Sequence, residues 1–445
     1  MSKRMVILGG GESGVGAAVL AKKKGYDVVL MDEGSLKEGY RNELQEAGVE
    51  FMEGSVDEER LLNAEEVVKS PGIPEKNDFV KKLREKSIPI ISEVELAYRY
   101  KGNSKIIAIT GSNGKSTTTS LIHHICKTAG LDAALVGNIG YSFARQVAED
   151  PKPIYVAEIS SFQLDDIVTF RPDVALLLNI TEDHLDRYDY KFENYIRSKF
   201  RIAMNQTSED HFIFNLDDEV IAAYMKENNI ISNQLPFSMK QKVEKGAYIK
   251  DDTMHVNAGP EQHDMSIFDF ALQGRHNQAN TMAASVAGAT MEIRKDKIRE
   301  AVQTFDNLEH RMEPVATVRG VEFINDSKAT NINSTWFALE SMGKPTVLIL
   351  GGVDKGNDYS LLQDLVLEKV KAIVCLGVDN KKIHEAFEKD VRIVDTRSAE
   401  DAVRTAYSLS TSGDVVLLSP GCASFDLFKN YEDRGRQFKQ AVKDL

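Results

Sequence analysis

Residues 107–122 read IAITGSNGKSTTTSLI, and the fold around them turns on how they are read. An apolar run ending at Thr110 has strand character, and the segment from Lys115 onward has helical character. Between them lies Gly111-Ser112-Asn113-Gly114-Lys115-Ser116-Thr117. A full P-loop carries another glycine five residues before Gly114, where this chain has Ile109. The core chemistry survives that loss. Successive backbone N–H groups form a nest for an anion, the lysine reaches terminal phosphates, and the next hydroxyl suits Mg2+. ATP is therefore the expected ligand, held by Gly111, Asn113, Gly114, Lys115, Ser116 and Thr117. A glycine-containing loop with an exposed lysine is the plainer alternative.

The same rhythm runs outward in both directions. Upstream, MVILGG, DVVLMD, EEVVKSPGIP and PIISEVELAYRY alternate with helical patterns, as in a parallel α/β unit. The polar YKGNSK reads as a linker. Downstream, strands are expected near Ile106–Thr110, Tyr155–Ile159 and Val174–Asn179, with a small β excursion at AYIKDDTMHVNA. Helices are expected around Ala279–Met291 and Ile298–Phe305. A third rhythm starts near Glu322 with VEFIND, TVLILGG, AIVCLG, VRIVD and DVVLLSPG. The expectation is an α/β protein of three domains, 1–100, 101–307 and 308–445, which suits a length of 445 residues.

Composition narrows the function. A net charge of -13 argues against a general nucleic-acid surface. The N-terminus passes straight into a strand-like run without a signal-type apolar region, and no apolar run is long enough to span a membrane. A cytoplasmic location and no membrane insertion are expected. Cys126, Cys375 and Cys422 are far apart and odd in number, so neither a disulfide framework nor a zinc spacing is read from them. They read as small buried residues in a reducing compartment.

Two further turns are rich in glycine. Gly9, Gly11 and Gly14 match G-x-G-x-x-G between a strand and a helix, and Asp32 ends the next strand where a ribose-binding acid would sit. This fits a nicotinamide dinucleotide, another pyrophosphate on a helix N-terminus, or tight packing alone. An NAD-dependent dehydrogenase is therefore a competing reading. LGGVDKGNDYS offers Lys355 to an anion but reads more simply as a strand-to-helix turn. LSPGCASFDLFKNYEDRG reads as strand, Pro-Gly turn and helix, with Ser424 or Lys429 near a ligand or merely capping the helix. Glu158 in AEISSFQL ends a strand after the P-loop helix, a position suited to facing Mg2+. His184, in LNITEDHLDRYD, is a metal or phosphate candidate among acids that otherwise read as a solvated loop. NDSKATN and GRHNQAN are dense in hydrogen-bonding groups and fit either nucleotide contacts or ordinary caps.

Taken together, TGSNGKST, GNIG, EISSFQL, NITEDHLDR, GRHNQAN, HRME, NDSKATN and SPGCASFD resemble the Mur ligases, the ATP-dependent amino-acid-adding enzymes of peptidoglycan synthesis. The motifs run in order through all three blocks. LGGGESG, TEDHLDRY and SPGCASFDLFKNYEDRGRQF point to the branch that adds D-glutamate to UDP-N-acetylmuramoyl-L-alanine, and the DNPR-type motif of diaminopimelate-adding relatives is absent. The resemblance implies a Rossmann-like N-terminal domain for the UDP substrate, a central P-loop ATPase domain and a Rossmann-like C-terminal domain. It implies a role in building the cell wall, and hence in cell shape and division, with the chain acting as a monomer.

By the same resemblance, Ser13, Asp32, Ser70 and Asn138 hold the UDP substrate. Lys115, Ser116 and Thr117 hold phosphates and Mg2+, while Asn277, Asn280, Arg311, Asp326 and Lys328 surround the nucleotide. Glu158 and His184 serve metal sites, and Lys355, Ser424 and Tyr431 receive D-glutamate. Lys199, in NYIRSKFRIA, matches a lysine carbamylated in most of the family; from its surroundings in sequence it is an ordinary helix lysine. Lys115, His184 and Lys199 are the expected catalytic group. The chain departs from some relatives at Glu33-Gly34, where they carry Thr-Arg to clasp uracil. It has Tyr431 where phenylalanine is also familiar.

Overall fold

The computed structural model describes residues 3–306 and 309–445. The expected boundary between the second and third domains, at 307/308, lies outside the described residues. Among the described residues there are three sheets, of five, nine and six strands. The chain divides into two compact units. One comprises Met1–Ala271 and Asn277–Phe305, and the other Leu272–His276 and Asp306–Leu445. The first unit contains two of the sheets.

In the N-terminal sheet the strands lie in the spatial order Glu50–Glu53, Asp27–Asp32, Arg4–Leu8, Glu66–Lys69, Ile90–Ile91, all parallel. A parallel sheet is covered on both faces, so its strands are continuous apolar runs rather than alternating ones. Met5, Val6 and Ile7 have no exposed surface at all. The reversal of order beside the first strand places the glycine turn 9–14 at the carboxyl edge, the usual ligand position in such sheets.

The nine-stranded sheet has Lys105–Thr110 third from one edge, flanked by Ile154–Glu158 on one side and Val174–Leu177 on the other. All three strands are parallel, with Ile109 opposite Glu158 and Thr110 opposite Leu177. This register brings the loop after Thr110, the carboxylate of Glu158 and the segment after Leu177 to one edge. At its far end the sheet turns antiparallel. Gly246–Lys250 and Thr253–Asn257 form a hairpin whose turn residues Asp251 and Asp252 have φ of +49° and +56°. Positive φ at both central turn residues matches the twist of the flanking strands.

Glu12–Lys23 packs against Phe143–Glu149, where a Cβ on Gly16 would lie 1.9 Å from Ser142 Oγ. Arg145 clamps the joint, donating to Glu12 at 2.6 and 2.7 Å and to Glu43 at 3.0 and 2.7 Å. Buried Glu93 receives the Ala144 N–H at the same joint.

The sheet of the second unit runs Glu313–Val318, Val321–Asn325, Val415–Leu418, Thr346–Leu350, Val370–Leu376, Arg392–Thr396. Its first pair is antiparallel and the others are parallel. Glu313–Val318 was not expected from the sequence. It is an edge strand with a register shift between Pro314 and Ala316, and an edge is where proline's missing N–H costs no ladder bond. The helix expected after Pro420-Gly421 begins only at Tyr431, capped by Asn430, which accepts from Asp433 N at 2.7 Å.

Candidate active site

Gly114 precedes the helix Lys115–Thr128 with φ +81°, and a Cβ there would lie 2.4 Å from Asn280 Oδ1. The positive φ favours glycine, and an added Cβ would also have to displace the Asn280 amide. Asn280 belongs to the helix Arg275–Thr290, is 3% exposed, and donates to Asn277 Oδ1 at 3.4 Å. The loop is also held from the neighbouring strand end. Asn113 N donates to Asn179 Oδ1 at 2.8 Å, and Asn179 Nδ2 donates to Asn113 O at 3.1 Å. Ser112 Oγ donates to Thr181 O at 3.0 Å and accepts from Thr181 N at 3.0 Å. These contacts give the loop its shape before any ligand arrives. Ser116 and Thr117 are buried in the first turn of the helix.

Two lysines meet at one carbonyl. Lys115 Nζ donates to Gly111 O and Ser112 O, each at 2.8 Å, and Lys199 Nζ donates to Gly111 O at 2.7 Å. Lys199 comes from the helix Phe192–Phe200, is 1% exposed, and lies 4.5 Å from the centre of the Tyr195 ring. Burial first, and then the like charge of Lys115, hold its pKa well below the ordinary lysine value, although Asp183 and Asp165 pull the other way. This lysine is not the solvated helix residue that its place in the sequence describes.

Glu158 ends its strand almost wholly buried. Oε1 accepts from Asn138 Nδ2 at 2.8 Å, Glu158 O accepts from Asn138 N at 2.9 Å, and Oε2 has no hydrogen-bond partner among the described residues. A buried carboxylate oxygen without a partner is costly unless a cation or donor completes it. His184 is left-handed, with φ +53°, 3.5 Å from Asp183 and edge-on to Phe162.

At the N-terminal turn, Gly14 packs against Gly9; a Cβ on Gly14 would lie 1.8 Å from Gly9 O. Ser70 Oγ donates to Gly9 O at 3.3 Å, and Ser13 sits half-buried in the first turn of Glu12–Lys23. Asp32 accepts N–H bonds from Gly10 and Gly34, so its carboxylate shapes the loop.

The second unit holds the other predicted residues. Val353 and Ala423 exchange backbone hydrogen bonds at 2.8 and 3.2 Å, bringing the loop of exposed Lys355 beside buried Ser424. The Lys328 ammonium lies 5.0 Å from the centre of the Tyr431 ring. Asp326 accepts from Ser419 Oγ at 2.9 Å and Met312 N at 3.2 Å, and burial pushes its pKa up to about 7. Arg311 is half-buried in the same unit. Arg434, unremarked in the sequence, is 1% exposed and ties two loops to its own helix, donating to Ser327 Oγ and O and to Cys422 O. Asn179 was likewise missed as an individual residue. Its one signal was position, ending the strand beside that of the glycine loop.

The chain belongs to the Mur ligase family. Residues 3–92 match the MurD-like N-terminal domain of Mur ligases, 109–288 the Mur ligase middle domain, and 310–422 the glutamate ligase domain. Three relatives matched over nearly their whole length share one name, UDP-N-acetylmuramoylalanine–D-glutamate ligase. That of Christiangramia forsetii is 53% identical over 446 residues, covering 100% of both chains. That of Bacteroides fragilis is 52% identical over 445 residues with the same coverage. That of Salinibacter ruber is 41% identical over 452 residues, covering 99% of this chain and 98% of the other. Among solved structures, a pseudomurein peptide ligase type C from Methanothermus fervidus and a UDP-N-acetylmuramate-alanine ligase from Thermotoga maritima each reach a TM-score of 0.63. They are 17% and 16% identical over 100% of both chains, which speaks to the fold. The protein is thus an ATP-dependent acid–amino-acid ligase, and the dehydrogenase alternative is set aside. Among the described residues no helix is long and apolar enough to cross a membrane.

Proposed function

We propose that this protein joins D-glutamate to the L-alanyl carboxylate of UDP-N-acetylmuramoyl-L-alanine, consuming ATP, in the making of peptidoglycan precursors. The observation that carries the reading is full-length identity of about half with relatives named for this reaction, on a chain whose anion loop is fully built. A carboxylate is a poor electrophile. It becomes reactive when the γ-phosphoryl of ATP is transferred to it, giving an acyl phosphate that the amine of D-glutamate attacks. Phosphate then leaves.

In this reading the backbone N–H groups of 111–117 cradle the ATP phosphates. Lys115 releases the two loop carbonyls it now holds and follows the phosphoryl charge as it moves. Asn277, Asn280, Arg311, Asp326 and Lys328 go to the nucleotide, and Ser13, Asp32, Ser70 and Asn138 to the UDP substrate. Lys355, Ser424 and Tyr431 go to D-glutamate. The domains keep the extents 1–100, 101–307 and 308–445.

Mg2+ fits the residues present. Hard cations take oxygen donors, and the unpartnered Glu158 Oε2 and the Ser116 hydroxyl are such donors. When bound, the ion screens the phosphate charges. His184 is assigned to the same metal region.

The setting of Lys199 supports its carbamylation. Burial beside a second lysine lowers its pKa and so favours the neutral amine, the form that takes up CO2, and the carbamate would be an anionic oxygen ligand. The cytoplasm, which supplies ATP and UDP-linked precursors, is the proposed location.

The test is ATP-dependent phosphate release with UDP-N-acetylmuramoyl-L-alanine while amino acids are varied. D-glutamate should drive turnover and L-glutamate should not. Release independent of the amino acid, or driven better by another one, overturns the reading.

A further inference from the structure

In the second unit, the strands Val370–Leu376 and Arg392–Thr396 are parallel neighbours joined through the helix Lys381–Phe387. Cys375 stands directly opposite Asp395 in that register. Opposed residues on adjacent strands project to the same face, roughly 5 Å apart. The crossover helix covers that face and brings in His384. Ligand atoms of Cys375, His384 and Asp395 consequently all lie within 4.8 Å of one another. The spacing in sequence gives no hint of this, because strand pairing makes the cluster.

We infer that Cys375, His384 and Asp395 form a binding site for a thiophilic divalent ion of the Zn2+ type, distinct from any Mg2+ that accompanies ATP. One thiolate, one imidazole and one carboxylate are the donor set that Zn2+ and Co2+ take, whereas Mg2+ takes oxygen. The geometry is close to what an ion needs. Two ligand atoms each ~2.1 Å from one tetrahedral ion stand roughly 3.4 Å apart. His384 Nε2 already lies 3.2 and 3.1 Å from the two Asp395 oxygens.

A further shell holds the ligands. Asn380 Nδ2 donates to Asp395 Oδ1 at 2.8 Å, His384 Nδ1 lies 3.7 Å from Glu388, and Thr396 Oγ1 donates to Cys375 O at 2.7 Å. Cys375 is fully buried while Asp395 is exposed, so the fourth position opens outward to water. The ion enters as the thiol proton leaves: the S–H bond breaks, the sulfur–metal bond forms, and one proton passes to solvent.

The proposal does not depend on the substrate assigned above. The full chain, reduced, stripped with chelator and kept anaerobic, is titrated with Co2+. One equivalent should produce a sulfur-to-cobalt charge-transfer band with the strong visible bands of a four-coordinate ion. Zn2+ should erase both, and excess Mg2+ neither. His384→Gln and Asp395→Asn should each weaken Co2+ binding at least about tenfold, and Cys375→Ser should remove the charge-transfer band. If the buried Cys375→Ser variant fails to fold, the two outer variants decide. Absence of the band in the wild type, or a band that neither outer variant weakens, overturns the site; the latter places the thiolate at another cysteine.

Discussion

Lys199 shows how far a single residue can depart from what its neighbours in sequence describe. Its helix is amphipathic, yet this lysine points inward to the carbonyl of Gly111. An ordinary lysine is cationic at neutral pH, with a pKa of about 10.4. Here burial and Lys115 favour the neutral amine. Lys199→Ala should lose most activity with the fold intact, and a small added carboxylic acid should restore part of it by filling the vacated position. Carbon-13 NMR with labelled bicarbonate should show a carbamate. Normal turnover of the variant would refute the assignment. Glu158→Gln tests the adjoining claim. An amide offers a weaker donor than the bare Oε2, so the Mg2+ concentration giving half-maximal rate should rise about tenfold or more. An unchanged Mg2+ dependence would remove Glu158 from the metal. The placement of the glycine loop between strand and helix, and of Glu158 at a strand end, was legible because local sequence pattern decides it. Burial of Lys199, the Asn179 clasp and the loop-tying role of Arg434 were not, because each arises from residues distant in the chain.

At the scale of elements, the parallel strands were legible because both their faces are buried and they read as unbroken apolar runs. Glu313–Val318 was not, since an exposed edge strand with a proline lacks that signature. The helix at Tyr431 started late because the chain between Gly421 and Asn430 is held by Arg434 and by the exchange with Val353 instead of continuing from the turn. The glycine loop itself makes a sharp prediction. Gly114→Ala meets both a positive φ and Asn280, and should cost about 1–3 kcal/mol with loss of ATP binding. Gly102→Ala is the control, with φ +64° but nothing within 4 Å of the added carbon. Equal losses of thermal stability in both would show that Asn280 contributes nothing to the requirement. In the second unit, Lys355→Ala should raise the KM for D-glutamate and leave that for ATP unchanged. Losing one charged contact to a carboxylate that becomes buried costs roughly 2–5 kcal/mol.

On the scale of the whole molecule, the joint around Arg145 makes folding of the first unit sensitive to pH. Glu93 is buried there, with Oε2 unpartnered among the described residues, and burial raises its pKa from the ordinary 4.5 to about 7. Between those values the folded chain holds a proton that the unfolded chain has shed. Stability from this group therefore falls as pH rises through that window and stays low above it. The size is on the order of 3 kcal/mol. Glu93→Gln should accordingly melt higher than the wild type at pH 8, with the advantage shrinking as pH falls towards 4.5. Melting curves that stay parallel across the window would show that Glu93 ionises freely.

The contact between Gly114 and Asn280 also has a consequence for biosynthesis. The loop leaves the ribosome long before the helix that closes over it, and its strand must wait for Val174–Leu177 to complete one flank. At bacterial-type elongation rates of about 5–20 residues per second, that interval is roughly ten to thirty seconds. A nascent chain stalled before Arg275 should therefore fail to retain an ATP analogue, and one stalled far enough past Lys328 to clear the exit tunnel should retain it. Nucleotide competence would then be acquired late, as a property of the nearly finished polypeptide and not of the motif as it emerges.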